Sequence, residues 1–489
     1  MKDDLKEGQK SFYITTPIYY PNANLHMGHA YTTTICDILA RYHRDVLKED
    51  TYFLTGSDEN TEKMVRTAAT AGMKTDVYLN DVVEKFKELF KTLNISYDQF
   101  IRTSDEKVHW PGVTEMWKRL VEAGDIEKRS YEGLYCVGHE AFITEKELVN
   151  GKCPDHDEVP QKIKEENYFF KLSKYTDTIK EKIVSGEFEI IPQTRKNEIL
   201  AQLERGLEDV SFSRPAEKMS VGVPVPGDPT QKIYVWCDAL TNYISALGFG
   251  QKNDELFKKF WPANAQVIGK DILRFHAAIW PGMLLSAGIK LPKRLLVHGF
   301  ITSEGKKMSK SLGNVIDPNI LINDYGVEAV RYYLARHVSS FEDSDLTYES
   351  FKEAYNAGLA NGLGNLVSRI MKMAETNLEE PVEDMEKYHL KDGFYKDFYE
   401  SMDSFEIQKT LNIIWVRIAA IDFKIQHTEP FKEIKIDREK GINIIKDLVR
   451  ELYTIAYMLE PILPETSQKI MELVKSNKSP SEPLFLRKD

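Results

Sequence analysis

The sequence predicts an α/β protein: a parallel-sheet domain carrying an insertion, followed by an all-helical region. Three observations carry this. Near the start, SFYITT at residues 11–16 reads as a short buried strand, a helical run follows, and TYFLT at 51–55 reads as a second strand. The α/β pattern resumes late, with IYVWCDAL, AQVIGKDI and RLLVHGFI. Beyond about residue 325 almost the whole chain keeps a helical period.

The first helical run places apolar residues at Met27, Tyr31, Ile35, Ile38, Tyr42 and Val46, after the turn-rich loop PIYYPNANL. Strand, helix, strand in this order is a βαβ unit, which implies parallel pairing. Residues 76–93 and 112–123 read as further helices. Between about 130 and 230 three turn clusters, VNGKCPDHDEVP, SFSRPAEKM and VGVPVPGDPT, separate short strands, so this stretch reads as an insertion. The resulting partition is 1–120 and 230–325 for the two halves of the sheet domain and 121–229 for the insertion. A linker follows at 326–350 and a helical domain at 351–489. Long helical stretches are expected at 326–337, 350–377, 391–426 and 440–459.

A chain of 489 residues is too long for one small core and suggests two to four domains. Lys plus Arg is 65 and Asp plus Glu is 76, a net charge of −11, so any nucleic acid must meet a local basic face. The N-terminus MKDDLKEGQK is polar, without the features of a signal peptide, and no apolar run approaches the ~20 residues of a membrane span. The four cysteines, Cys36, Cys136, Cys153 and Cys237, fit a reducing cytoplasm, where closely spaced pairs read first as metal ligands. The expected setting is therefore cytoplasmic, with no membrane partner.

Two motifs carry chemistry. His26-Met27-Gly28-His29 stands where the loop after the first strand enters a helix. The carboxyl end of a parallel strand and a helix N-terminus both favour bound phosphate. His26 and His29 share a helix face, and Gly28 lets a flat ring approach the backbone. Two imidazoles aimed at a phosphate would stabilise charge developing at phosphorus. The plainer alternative is a pair of surface histidines on a helix cap. The second motif, Lys306-Lys307-Met308-Ser309-Lys310-Ser311, follows the strand LLVHGFI. Such a loop can close over a triphosphate, although a short lysine run is more often only a solvated loop.

HMGH after the first strand and KMSKS after a late one form the paired signature of the class I aminoacyl-tRNA synthetases. The chain resembles the methionyl-tRNA synthetase family through TPIYYPNANLHMGHAY, FLTGSDEN, YEGLYCVGH, YVWCDALTNYI, VIGKDILRFHAAIWP, LLVHGFIT and KMSKSLGN, in the family's order. The resemblance implies a Rossmann-like catalytic domain, a zinc-bearing insertion and an anticodon-binding helical bundle. It also implies activation of L-methionine with ATP and transfer to tRNA(Met), with His26, His29, Lys307 and Lys310 acting by position and charge. ATP contacts are implied for Gly28, Gly269, Lys270, Asp271, His298, Gly299, Met308 and Ser309, with Mg²⁺ brought by the phosphates. Methionine contacts are implied for Ile18, Tyr20, Asp58, Trp236, Ala239, Leu240, Tyr243, Ile272, His276 and Trp280. That set is chemically sensible, because aromatic rings suit a thioether and Asp58 suits an ammonium. Where many relatives read Asp-Glu-His-Gly, this chain has Asp58-Glu59-Asn60-Thr61.

In the insertion, Cys136-x2-His139 and Cys153-x2-His156 supply four ligands, enough for one closed structural zinc per chain. The alternative is two buried cysteines beside two exposed histidines. Asn361, Asn365 and Arg369 are spaced by four and form a polar helix stripe, with Gly358, Gly362 and Gly364 leaving room beside it. By resemblance, Asn365 and Arg369 read anticodon bases and Asn361 belongs to the same surface. Phe431 stands in EPFK where the family carries tryptophan; phenylalanine stacks but lacks the indole N–H. Some relatives dimerise through an appended C-terminal domain without counterpart here, so a monomer is expected. Rivals are a small nucleotidylyltransferase, the cysteine-specific synthetase, and a non-catalytic tRNA-binding or zinc-finger protein. The first lacks KMSKS at this distance and the helical domain. The second binds its zinc beside the active site. Intact HMGH and KMSKS argue against the third.

Overall fold

The computed structural model describes residues 10–136, 141–143, 145, 148–154, 158–308, 314–383, 385 and 395–489. Its central sheet has six strands in the order β3-β2-β1-β12-β13-β7. These are β1 (Ser11–Tyr19), β2 (Asp50–Ser57), β3 (Gln99–Arg102), β7 (Glu189–Ile191), β12 (Ala265–Gly269) and β13 (Arg294–His298). β1 pairs parallel with β12, β2 with β3, and β13 with β7. Tyr13, Leu54, Ile101, Ile268, Leu295 and Val297 of these strands share one core with Val113, Met116 and Trp117 and with Trp280, Met283 and Leu284. The first helical set comes from helix Trp110–Glu122 and the second from helix Trp280–Ser286. Strands covered by helices read as continuous apolar runs, which is why β1, β2, β12 and β13 were visible in sequence.

The insertion builds its own antiparallel sheets, β5-β4-β6-β8 and β10-β11-β9. The first comprises β4 (Ile126–Cys136), β5 (Ala141–Ile143), β6 (Gln161–Phe170) and β8 (Val210–Ser211). The second comprises β9 (Ser213–Pro215), β10 (Pro224–Val225) and β11 (Asp228–Ile233). The expected stretch 121–229 is not all insertion, however. β7 returns to the central sheet, with Leu295 opposite Ile190. A three-residue strand, EII, is too short to show a period.

By internal compactness the chain forms two units: 1–24, 51–88 and 97–297 in one, and 25–50, 89–96 and 298–489 in the other. The HMGH helix thus groups with the late helices and not with the strands that flank it in sequence. In this second unit, helix Met27–Arg41 carries Asp37, fully buried against the equally buried Arg331 of helix Val327–Arg336 at 2.7 Å. Asp37 also accepts from Arg41 Nε at 2.8 Å and from Ser96 N and Oγ at 2.6 and 2.7 Å. Arg331 also donates to the carbonyls of Leu93, Ile462 and Pro461, at 3.1, 2.9 and 3.4 Å. Burial alone would raise the Asp37 carboxyl, but the two guanidinium groups and the Ser96 bonds prevail and hold it below its usual range. A buried charge is tolerable only when so paired.

The same unit contains a small sheet, β15-β14-β16, made of β14 (Ile301–Ser303), β15 (Lys306–Lys307) and β16 (Ser344–Asp345). Its remaining helices include Tyr348–Ala354, Asn365–Asn377, Tyr395–Asp403, Ile407–Thr428, Pro430–Ile436, Arg438–Leu459 and Pro464–Ser476. The expected long helix at 391–426 is broken, since Phe405 turns the backbone left-handed at φ 60°. Among the described residues no helix is long and apolar enough to cross a membrane.

Candidate active site

The carboxyl ends of β1, β2 and β12 are where an open parallel sheet binds ligands. A cavity of about 60 Å³ opens there, lined by Pro17, Ile18, Tyr20, Asp58, Trp236, Ala239, Leu240, Asn242, Tyr243, Ile272 and His276. At roughly 10–15 Å³ per water-sized group, it has room for about four to six such groups, the size of a short unbranched side chain. Nine of the ten residues expected around the amino acid line this one cavity. The tenth, Trp280, does not. It is fully buried behind the lining, with its indole N–H on Gln266 Oε1 at 3.1 Å and its ring 5.9 Å from that of Tyr243. Trp280 therefore braces Tyr243 from behind. Pro17 and Asn242 were not singled out by sequence reasoning, and no spacing or motif marks them.

Hydrogen bonds fix the polar groups of this cavity. His276 Nδ1 lies 3.0 Å from the Ile272 carbonyl, which can only accept, so Nδ1 carries the proton. Nε2 then accepts from the Tyr243 hydroxyl at 2.8 Å. Burial pushes the His276 pKa down to about 4, so the ring is neutral at physiological pH and this arrangement persists. Trp236 stacks on Phe275 at 3.5 Å between centroids. Trp236 Nε1 and Asn242 Oδ1 are buried with no hydrogen-bond partner among the described residues.

Asp58 is held by its neighbours. Its N–H bonds the Tyr19 carbonyl at 3.0 Å, and its Oδ1 accepts from the Thr103 hydroxyl at 3.4 Å. That hydroxyl accepts from Glu59 N–H at 2.7 Å, and the Thr103 carbonyl accepts from Asn60 Nδ2 at 2.7 Å. Asn60 also donates to Asp238 at 2.9 Å, and Asp238 meets His109 Nε2 at 2.6 Å. Glu59 takes a two-pronged contact from Arg102 at 2.8 and 2.9 Å. The departure at Asn60 therefore has a structural role: its amide bridges Thr103 to Asp238 beneath the cavity.

In the second unit, His26 is the N-cap of helix Met27–Arg41. His26 Nδ1 accepts from Gly28 N–H at 3.1 Å, and His29 Nδ1 accepts from His26 N–H at 3.2 Å. Both rings, 4.0 Å apart, thus carry their neutral-state proton on Nε2. Burial and the neighbouring His26 push the His29 pKa well down, so His29 is neutral. Gly28 admits a flat ring to the backbone, but the ring is His26 itself: a Cβ there would sit 2.9 Å from His26 Cε1. His298 Nε2 lies 2.8 Å from Thr32 Oγ1 of the same helix. Gly299 is required by the 342–343 backbone, which a Cβ would approach to 2.3 Å.

Lys306 and Lys307 belong to a hairpin, not a loop, with Thr302 opposite Lys307 and a left-handed turn at Glu304-Gly305. Met308 is buried, while Ser309 and Lys310 lie outside the described residues. In the other unit, Gly269 ends β12 and Lys270-Asp271 open the next turn, with Asp271 exposed.

The family model described as tRNA synthetases class I (M) matches residues 12–162 and 146–371. A methionine–tRNA ligase of Clostridium perfringens is 44% identical over 474 residues, covering 94% of this chain and 73% of the relative. The chain belongs to the methionine–tRNA ligase family. The Thermotoga maritima member is 42% identical over 487 residues, covering 96% of this chain and 76% of that one. Among solved structures, Mycobacterium tuberculosis methionyl-tRNA synthetase in complex with methionyl-adenylate superposes with a TM-score of 0.90 at 35% identity, covering 98% of this chain and all of that one. The free-state structure of the same enzyme gives 0.83 at 33% identity, covering 99% of each chain.

Two further expected sites of the methionine–tRNA ligase family can be located. Cys136 ends β4 and Cys153 lies after a turn; both are buried in one small cluster with Ile143. His139 and His156 lie outside the described residues, and among the described residues no three metal-ligating groups converge. Asn361 and Asn365 are exposed, and Arg369 is paired to Asp422 of helix Ile407–Thr428. Phe431 is 49% exposed. The stripe is less regular than expected, because residues 355–364 form a π-helix. Gly358 does not leave ligand space either: a Cβ there would lie 1.9 Å from the Tyr332 hydroxyl, so it serves helix packing.

Replacing Thr103 by Val removes the hydroxyl between Glu59 and Asp58. Losing such a bond costs about 0.5–1.5 kcal/mol, so the KM for the amino-acid substrate should rise roughly 2–12-fold with the KM for ATP unchanged. Equal effects on both constants in steady-state assays would show that Thr103 serves the fold alone.

Proposed function

We propose that this chain is a methionine–tRNA ligase. It activates L-methionine with ATP to methionyl-adenylate, releasing diphosphate, and then transfers the methionyl group to tRNA(Met), releasing AMP. The observation that carries this reading is the single cavity uniting Asp58 with an apolar and aromatic lining sized for an unbranched side chain. Asp58 holds the ammonium, Ile18 and Leu240 bound the apolar end, and Tyr20, Trp236 and Tyr243 meet the thioether. Ala239, Ile272 and His276 complete the contacts, and Trp280 supports them through Tyr243.

Gly269, Lys270, Asp271, His298, Gly299, Met308, Ser309 and the Gly28 backbone serve ATP, which brings Mg²⁺ with its phosphates. His26 and His29 donate from Nε2 to phosphate oxygens, an interaction that strengthens as charge develops there. Lys307 and Lys310 neutralise the departing diphosphate. No covalent enzyme intermediate is required. The enzyme works as a cytoplasmic monomer.

Cys136, His139, Cys153 and His156 would hold one structural zinc. Two buried thiols in one cluster supply the soft half of a Cys₂His₂ donor set. Elemental analysis should find about one zinc per chain, and Cys153→Ser should release it. Full metal retention in that variant would show the ligands to be wrong.

Asn361, Asn365, Arg369 and Phe431 read the CAU anticodon by edge contacts and stacking. Arg369→Ala should leave methionine-dependent ATP–diphosphate exchange intact but lower charging of tRNA(Met), by about 5–150-fold for a lost base contact. Phe431→Ala should act in the same direction through lost stacking. Lys310→Ala should instead lower the exchange rate itself, by roughly 10²–10³, with methionine affinity barely changed. Equal loss of exchange and charging in Arg369→Ala would reduce the stripe to a structural face, and unchanged charging would remove it from tRNA recognition.

A further inference from the structure

Two residues lining the cavity carry a buried polar atom without a partner among the described residues, Trp236 Nε1 and Asn242 Oδ1, and only the second is an acceptor. Asn242 opens the short helix Asn242–Ser245 and is 1% exposed. Its Nδ2 donates to the Ala239 carbonyl at 2.6 Å. Only the amide nitrogen can donate to a carbonyl, so this bond fixes which way the side chain is turned. Oδ1 is then a committed acceptor, and it has no hydrogen-bond partner among the described residues. A buried acceptor left unpaired is destabilising and rare, so one on a residue that lines a binding cavity points to a donor carried by the ligand.

Trp236 Nε1, the other unpartnered polar atom on this lining, does not bond to Asn242 Oδ1. The Tyr243 hydroxyl lies on His276 Nε2, and the His276 N–H is turned to the Ile272 carbonyl. The ligand chemistry narrows the choice further. A thioether has no donor and a carboxylate only accepts, so the one donor of a free thioether amino acid is its α-ammonium. Asp58 lines the same cavity and supplies the countercharge.

We propose that Asn242 is a substrate-binding residue whose Oδ1 accepts an N–H of the α-ammonium, so that the ammonium is held by two side chains, Asp58 and Asn242. This rests on the reading of the cavity as the methionine pocket. It makes the pocket selective for an unmodified α-amine as well as for the side chain.

The test compares two competitors of methionine in ATP–diphosphate exchange. Methioninol keeps the ammonium and thioether; 4-(methylthio)-1-butanol is the same molecule without the ammonium. In Asn242→Ala the inhibition constant of methioninol should rise about tenfold, the usual effect of losing a charge-assisted hydrogen bond, while that of the des-amino compound is unchanged. Asn242→Asp keeps the acceptor and adds charge, so there methioninol binding should be retained. Equal losses for both compounds in both variants, or an unchanged methioninol constant in Asn242→Ala, would overturn the assignment. Wild-type protein indifferent to methioninol would overturn the pocket reading itself.

Discussion

The parallel pairing of β1 with β12 is the constraint on which the amino-acid site depends. Tyr13 N–H bonds Asn264 Oδ1 at 3.0 Å across a separation of 251 residues, and Asn264 N–H returns a bond to the Tyr13 carbonyl at 2.9 Å. Ile14 then lies opposite Ala265 and Thr15 opposite Gln266. This register brings Pro17, Ile18 and Tyr20 from one end of the unit to Ile272 and His276 from the other. A further long-range bond, from the Tyr13 hydroxyl to the Tyr243 carbonyl at 2.7 Å, draws in the segment that carries Trp236 and Leu240. Closing so long a loop costs entropy, but the cost grows only with the logarithm of length. Helices on the sheet repay it through the shared apolar core around Tyr13 and Trp280.

Around that frame, polar groups are fixed before any substrate arrives. Asp58 sits in a chain of bonds through Thr103, Asn60, Asp238 and His109, and His276 is locked in one neutral tautomer. The cap histidines are set in the same manner, because Nδ1 of each ring is used by the helix terminus. Catalysis by position and charge needs this kind of preorganisation, since donors that already point correctly need no rearrangement as charge develops.

Much of this was legible in sequence because it follows periods and motifs. The strands around Ile14 and Leu54 read as apolar runs, and the helix after His26 shows its spacing. Other features were hidden for physical reasons. β7 is three residues long and pairs with β13, a strand more than 100 residues away in sequence. Trp280 was expected in the lining from the family resemblance, but its ring lies behind Tyr243. Gly358 looked like ligand space and is filled by Tyr332. Asn60 and Asn242 carry no pattern, since their importance lies in bonds to residues distant in sequence or in an acceptor left unmatched. The Asp37–Arg331 pair was likewise invisible, being made of two charges that only burial renders significant.

The role proposed for the cavity at the end of β1 and β12 is to select methionine and present it for adenylation. The direct measurement is ATP–diphosphate exchange by the purified wild-type protein with each of the twenty amino acids in turn. Methionine alone should support exchange at micromolar to millimolar concentration, on the order of an ordinary KM. Cysteine and the branched residues should give no appreciable rate, because the narrow aromatic lining neither grips a short thiol nor admits a branched chain. Exchange driven equally by cysteine or leucine, or none with methionine, would show that this cavity does not select methionine.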